Sequence, residues 1–475
     1  MNLNDVITPE QDPAGNLSEM AANLRFEDIP PEDVDFVKRD ILDIAGCILA
    51  GSTEQTAKDS LETARSWNAG GRSRVFVYGD RMPAEFAAFV NGTMARARDM
   101  GDTGNEGGHI CEWVVPALLS SLGLSDEKHN GRDFITAFVA GAEWGSREHI
   151  CVRVTHHNLS TPGECAGPRY ATAAVSKLFG FTKEQIWTAQ GLAYCARPQS
   201  EMQKCNEGTS FVRLQHGYVC ADAIKSVSLV RTSSRITAPK GIYMGIGGLL
   251  KNIKHGDVLS PDILTEGLGK RWMWREQITM KPYAGCKYNH CEICGILNLM
   301  KEHRFTWQEI DTLHFTVSEG CRHVFEPHDQ KWNPSTDEAG MFSAPYSIAY
   351  AAIHGDCFLE AYSDAEVQKN MADPAFRALM DGMSYDVDES LPSFDDYTIT
   401  VTLKDGRTFS RQEKDLPGNV RHPMSWDEAE HKFWNAARFC AVDLGKERYQ
   451  KIIRLCKNLE QLADMRELAD AMTLG

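Results

Sequence analysis

The sequence predicts a mainly α-helical protein, an all-helical large domain with a smaller α+β lid inserted late in the chain. Three observations predict it. Apolar residues recur at helical spacing through the first half, the character changes near Lys270 to alternating segments, and helices return after Pro423.

In order, Val34, Val37, Ile41, Ile44, Ala45, Ile48 and Leu49 mark one amphipathic helix, stopped by Gly51. Similar spacing predicts helices over Ala84–Arg98, Glu112–Leu122, Gly131–Ser146, Pro168–Phe179, Lys183–Tyr194 and Gly217–Val230. Arg74–Tyr78 (RVFVY) is the strong strand before residue 250. Asp311–Ser318 alternates like a strand, and Tyr397–Leu403 and Thr408–Ser410 flank the turn Lys404–Arg407 as a hairpin. Helices follow at Trp426–Cys440 and near the C-terminus. The expected division is a helical domain over 1–270, an α+β lid over 271–419 and a helical return over 420–475, with the active site in the cleft between body and lid.

At 475 residues the chain exceeds one core. Its net charge of −16 argues against nucleic acid or an anionic membrane surface as partner, but leaves room for an anionic substrate held by a few inward cations. No apolar run suits a membrane span and the start lacks the marks of a signal peptide, so the cytoplasm is the expected location. Fourteen cysteines, scattered in apolar helical contexts, fit reduced core thiols better than a disulfide framework.

Four stretches carry chemistry. In Arg96–Leu119 a helix-like run ends in Asp99, Asp102 and Thr103, crosses the Gly-rich loop Gly104–Gly108 and meets His109 before an apolar helix. Polar groups gathered at such a junction suit a small-molecule site, although capping alone also explains them. In Met280–Cys294, Cys286, Cys291 and Cys294 have C-x4-C-x2-C spacing, and a cluster or a zinc with His290 competes with plain core thiols and a site role for Lys281. Asp337–Gly355 reads as one apolar helix carrying Tyr346 and Tyr350. Arg213 and His216 sit before another helix and, alone, read as surface polar residues. Gly245–Gly248 is a run of turn glycines rather than a phosphate loop.

Together these stretches resemble the MmgE/PrpD family, which includes 2-methylcitrate dehydratase, cis-aconitate decarboxylase and iminodisuccinate epimerase. Its first signature, roughly H-A-x-D-x-D-D-T, a short loop, H-P-S and V-x-P-A-L-L, is matched by Arg96–Thr103, His109–Cys111 and Val115–Leu119. Its second, K-x-[FY]-P-x-C-x-x-x-H, matches Lys281–His290, which accounts for the Cys/His cluster without a metal. Its third, an alanine-led F-S-x-x-Y helix, matches Ala339, Phe342, Ser343 and Tyr346, and the end fits through Gly418, His422–Ser425 and Lys432–Phe433. The departures are Arg96 for the opening His, Gly101 for one Asp of an acidic pair, and Ile110-Cys111 for Pro-Ser. Thr161 falls where many members carry His, with His156 and His157 nearby as substitutes, and Arg213 stands where the decarboxylases have Lys.

The resemblance implies a homodimer and a small anionic carboxylate, di- or tricarboxylic, as substrate, with no metal and no cofactor. It implies His109, Lys281, Tyr346 and Asp99 as catalytic and Thr103, Arg213, His216, His157 and Cys286 as substrate-binding. His109 has the imidazole suited to shuttling a proton alpha to a carboxylate, Lys281 and Arg213 balance the developing charge, and Tyr346 completes transfer if a cation lowers its pKa. Asp99 and Thr103, taken as an i,i+4 helix pair, orient His109 or bind a hydroxyl. The expected activity is a lyase of dehydratase type, with an epimerase or isomerase, a decarboxylase, and an idle binding relative as alternatives.

Overall fold

The structure, a computed structural model, describes residues 8–67, 70–104, 108–153, 167–196, 210–252, 261–391, 395–413 and 416–474. The protein is mainly helical with small sheets, and its contacts divide it into two compact units, Met1–Met280 with Ser425–Gly475, and Lys281–Met424. The first unit runs past the expected 270 because Met273–Gln277 packs on its helices and Ile278–Met280 pairs with its Asp102–Gly104.

The helices of the first unit include α1 (Pro31–Gly51), α2 (Ala84–Arg96), α3 (Cys111–Ser121), α4 (Gly131–Arg153), α5 (Gly167–Leu178), α6 (Lys183–Ala196) and α7 (Phe211–Thr232). Helix α1 fully buries Phe36, Val37, Ile41, Ile44, Ile48 and Leu49, and the helix Trp426–Ala437 packs along it. Helix α3 (CEWVVPALLSS) is buried along its whole length, as expected of a helix apolar on every face.

Helices α2 and α7 cross closely because each presents a glycine there. A Cβ at Gly92 would lie 2.8 Å from the His216 carbonyl oxygen, and one at Gly217 would lie 2.2 Å from that of Phe89. The contact fixes the height of His216 against α2. Helix α7 begins at Phe211, before the expected Gly217, so Arg213 and His216 lie on it rather than ahead of it.

The expected strand Arg74–Tyr78 is corrected. Ser73–Arg74 pairs with Arg81–Met82, Val77 makes a single parallel bridge to Thr473, and Val75, Phe76 and Val77 are fully buried in a tight turn with Val77 at φ 66. Asn91 Oδ1 accepts the Phe76 N–H at 3.0 Å, so a side chain replaces the ladder the run would have joined. Gly245–Gly248 do form turns.

The second unit holds a four-stranded mixed sheet and its covering helices. In chain order these are α8 (His290–His303), β1 (Ile310–Val317), α9 (Ala344–His354), β2 (Met383–Val387), β3 (Tyr397–Leu403) and β4 (Thr408–Glu413). The sheet order is β2-β1-β3-β4, with β1 parallel to β2 and antiparallel to β3, and β3–β4 the hairpin. Strand β3 alternates buried and half-buried, which seats α8 on one face. The single helix expected over Asp337–Gly355 is instead two. Asp337–Met341 ends at Phe342, and α9 restarts with Ser343 Oγ accepting the Tyr346 N–H at 3.2 Å and Pro345 in its first turn. No helix among the described residues is long and apolar enough to cross a membrane.

Candidate active site

The junction between α2 and α3 is held by one carboxylate. Ile110, which precedes α3, offers no capping side chain, so the first N–H groups of the helix need acceptors from elsewhere. Asp102 supplies them: Oδ2 accepts from Ile110 N at 2.9 Å, and Oδ1 from Cys111 N at 2.9 Å and Glu112 N at 3.1 Å. Burial, with the Glu112 charge next, pushes its carboxyl up to about 7, although the three amides pull the other way. Asp102–Gly104 is itself a short strand, paired antiparallel with Ile278–Met280.

The Asp102 backbone carbonyl lies 2.9 Å from His109 Nδ1. A carbonyl only accepts, so Nδ1 carries the proton and the basic lone pair falls on Nε2. Glu112 Oε2 approaches the same Nδ1 at 3.2 Å, and His216 Nδ1 at 3.3 Å. The two imidazoles meet edge to face with centroids 5.2 Å apart, and Trp113 lies 4.8 Å from the His216 ring. His109 is 7% exposed and His216 fully buried, so the pair lies in low dielectric where proton affinities respond strongly to neighbours.

Asp99 and Thr103 are not an i,i+4 pair on one helix. Helix α2 stops at Arg96, Asp99 turns left-handed at φ 47, and Thr103 lies in the strand. The Asp99 carboxylate pairs with the Arg96 guanidinium, the residue that replaces the family's opening His. Thr103 Oγ1 donates to the Gly108 carbonyl at 3.1 Å and Gly104 N to the same oxygen at 2.9 Å, closing the neck of the Gly-rich loop. Arg213 pairs with Glu54, which Arg98 also holds at 2.7 Å, so two guanidinium groups converge on one carboxylate. His156, His157 and Thr161 lie outside the described residues.

The remaining expected site residues belong to the second unit. Lys281 is 1% exposed and donates to the Gly285 carbonyl at 3.2 Å. Cys286 Sγ lies 3.9 Å from His323 Nε2, whose Nδ1 faces the Gly320 carbonyl at 2.7 Å. Cys291 turns to Asp395 at 3.6 Å and Cys294 to the Tyr283 hydroxyl at 3.7 Å, and burial pushes both thiols up, Cys294 to about 12. Three sulfurs with three separate partners make a poor ligand set.

Tyr346 departs from its expected part. Its hydroxyl donates to the Ala361 carbonyl at 2.7 Å and accepts from Asn370 Nδ2 at 3.1 Å, within an aromatic cluster with Tyr350, Tyr362 and Phe376. No lowering by a cation operates. Burial raises the phenol above its ordinary value, and the geometry is that of a packing tyrosine with a satisfied hydroxyl.

Sequence reasoning missed Glu112, the capping role of Asp102, and the Lys432 contacts, which run to Asp43 at 2.7 Å and the Met100 carbonyl at 2.6 Å. One signal for Glu112 was available. It is the sole charged residue in a helix apolar enough to be central, so burying the helix buries the carboxylate, which then needs partners.

Family models for the MmgE/PrpD N-terminal domain and C-terminal domain match residues 15–261 and 283–459. The chain is 25% identical to the cis-aconitate decarboxylase-like protein oryM of Aspergillus oryzae, over 97% of each chain. It is 25% identical to a cis-aconitate decarboxylase of Aspergillus terreus, over 95% of this chain and 94% of that one. To the cis-aconitate decarboxylase of Homo sapiens it is 23% identical, over 90% of this chain and 87% of that one.

Proposed function

The chain belongs to the MmgE/PrpD family, and on that premise we propose that it is a lyase acting on a small di- or tricarboxylate. The observation that carries this reading is His109, held with Nδ1 on the Asp102 carbonyl so that Nε2 serves as the proton-transfer atom. Arg98 and Arg213 share the single carboxylate Glu54, and the net positive charge of the three is what we assign to the substrate carboxylates. Lys281, in the second unit, is assigned to catalysis by resemblance alone.

Two reaction courses fit one proton-transfer group. In dehydration, His109 takes the proton alpha to a carboxylate, and the electron pair forms the new double bond as the C–O bond of the neighbouring carbon breaks. The departing hydroxide takes that proton back from His109 and leaves as water. In decarboxylation, the bond to a carboxylate breaks and carbon dioxide leaves. The electron pair passes into the remaining unsaturated acid, and His109 delivers a proton to carbon. The names of the relatives favour the second course, with a cis-aconitate-like acid as substrate.

The test is turnover of a panel of citrate, methylcitrate, cis-aconitate, malate-type and aspartate-derived acids, followed by NMR. Loss of a carboxyl carbon or of water from one member supports the proposal. Inertness toward every member refutes it.

A further inference from the structure

Gly101 stands where the first signature carries one Asp of its acidic pair. A Cβ built there would lie 2.4 Å from Glu112 Oε1, 2.8 Å from its Cγ and 3.0 Å from its Cδ. Gly101 is not among the residues with positive φ, so its backbone conformation does not call for glycine. Only the space already filled by Glu112 does. The carboxylate missing from position 101 is thus present in the same volume, entering from the first turn of α3 instead.

That carboxylate is fully buried; Oε1 is hydrogen-bonded, while Oε2 has ion-pair approaches but no hydrogen bond to another of the described residues. Oε1 accepts the Gly101 N–H at 3.1 Å. Oε2 lies 3.2 Å from His109 Nδ1, 3.3 Å from His216 Nδ1 and 4.0 Å from Arg96 Nε. One oxygen therefore faces the same ring nitrogen of two imidazoles, so both rings present Nε2 away from it.

We infer that Glu112 is a positioning residue, a carboxylate that orients His109 and His216 together and sets the tautomer of His216. The inference rests on the reading of His109 as the proton-transfer group. Asp102 holds His109 from a second acceptor, so removing Glu112 loosens that ring without releasing it. His216 loses the carboxylate oxygen that lies 3.3 Å from its Nδ1. The expected effect is a fall in kcat of about 10- to 100-fold, the range for removing a carboxylate that orients a histidine, with KM little changed.

The test compares Glu112→Ala, Gly101→Asp and the double variant Gly101→Asp/Glu112→Ala in the full chain. The readouts are histidine 15N chemical shifts and turnover. Glu112→Ala is expected to mix the His216 tautomers, to shift the His109 ring resonances without changing its tautomer, and to lower kcat. Gly101→Asp alone is expected to destabilise, because two carboxylates then compete for one space. The double variant is expected to recover the tautomer signature and about tenfold or more of kcat, a coupling that independent sites do not show. If Glu112→Ala does not fold, Glu112→Gln keeps the volume, removes the charge, and is expected to mix the His216 tautomers in the same way. Unchanged histidine resonances in the Glu112 variants, or a double variant no better than Glu112→Ala, overturns the inference. The NMR readout needs no substrate, so it judges Glu112 even if every acid in the panel proves inert and the lyase reading fails.

Discussion

Replacing Glu292 by Gln isolates the cost of one buried carboxyl. Glu292, in the first turn of α8, is fully buried, and neither carboxylate oxygen has a hydrogen bond to another of the described residues. Burial, then the charge of Asp395, pushes its carboxyl up to about 8 from the ordinary 4.5. A group whose folded pKa lies above its unfolded value contributes fully below the unfolded value. That contribution is lost as pH rises through the folded one. Between pH 5 and pH 7 the second unit should therefore lose about 2.5 kcal/mol through this group, since each tenfold difference in proton affinity is worth about 1.36 kcal/mol.

Gln does not titrate, so the difference between variant and parent separates this contribution from every other titrating group. The assay is amide hydrogen exchange of α8, which reports opening of that unit without requiring the whole chain to unfold in one step. The protection ratio of Glu292→Gln over parent should rise roughly 70-fold from pH 5 to pH 7. A ratio independent of pH refutes the reasoning, since it means the carboxylate is ionised at little cost where it sits.

Other perturbations have defined outcomes. Gly217→Ala places a methyl group 2.2 Å from the Phe89 carbonyl oxygen and 2.4 Å from Thr93 Oγ1. It should cost about 1–3 kcal/mol of stability and displace His216, read as a lower melting midpoint together with lower kcat. Lys432→Met removes the 2.7 Å ion pair to buried Asp43 and should cost about 3–5 kcal/mol, measured by denaturant unfolding. Asp102→Asn offers one acceptor oxygen and an NH2 to three backbone donors, so the start of α3 should loosen by at least about 1–2 kcal/mol, seen as faster exchange of the Ile110–Glu112 amides.

What the sequence revealed divides along physical lines. Helices α1 to α7 and the β3–β4 hairpin were legible because apolar periodicity and turn residues are local signals. The RVFVY run failed because its apolar side chains are buried in a turn stabilised by Asn91, a partner from another element. At the candidate site, residue types pointed to the α2–α3 junction and to His109, while the connections between them escaped. Asp102 caps a helix that begins beyond a loop, and Glu112 reads as an ordinary helix-start acid until its helix is known to be central. Tyr346 shows the reverse, since its sequence context suggested chemistry and Ala361 and Asn370, unreadable from that context, take up its hydroxyl.

The most direct measurement of whether His109 moves a proton on a small carboxylate is turnover in deuterated water. The full chain and His109→Asn are each incubated with cis-aconitate and the other acids of the panel, and deuterium at the carbon alpha to a carboxylate is followed by NMR. The expected result is incorporation, with or without loss of carbon dioxide or water, by the parent chain and a fall of about 100-fold or more in His109→Asn. Equal incorporation by both proteins, or none by the parent with any of these acids, contradicts it.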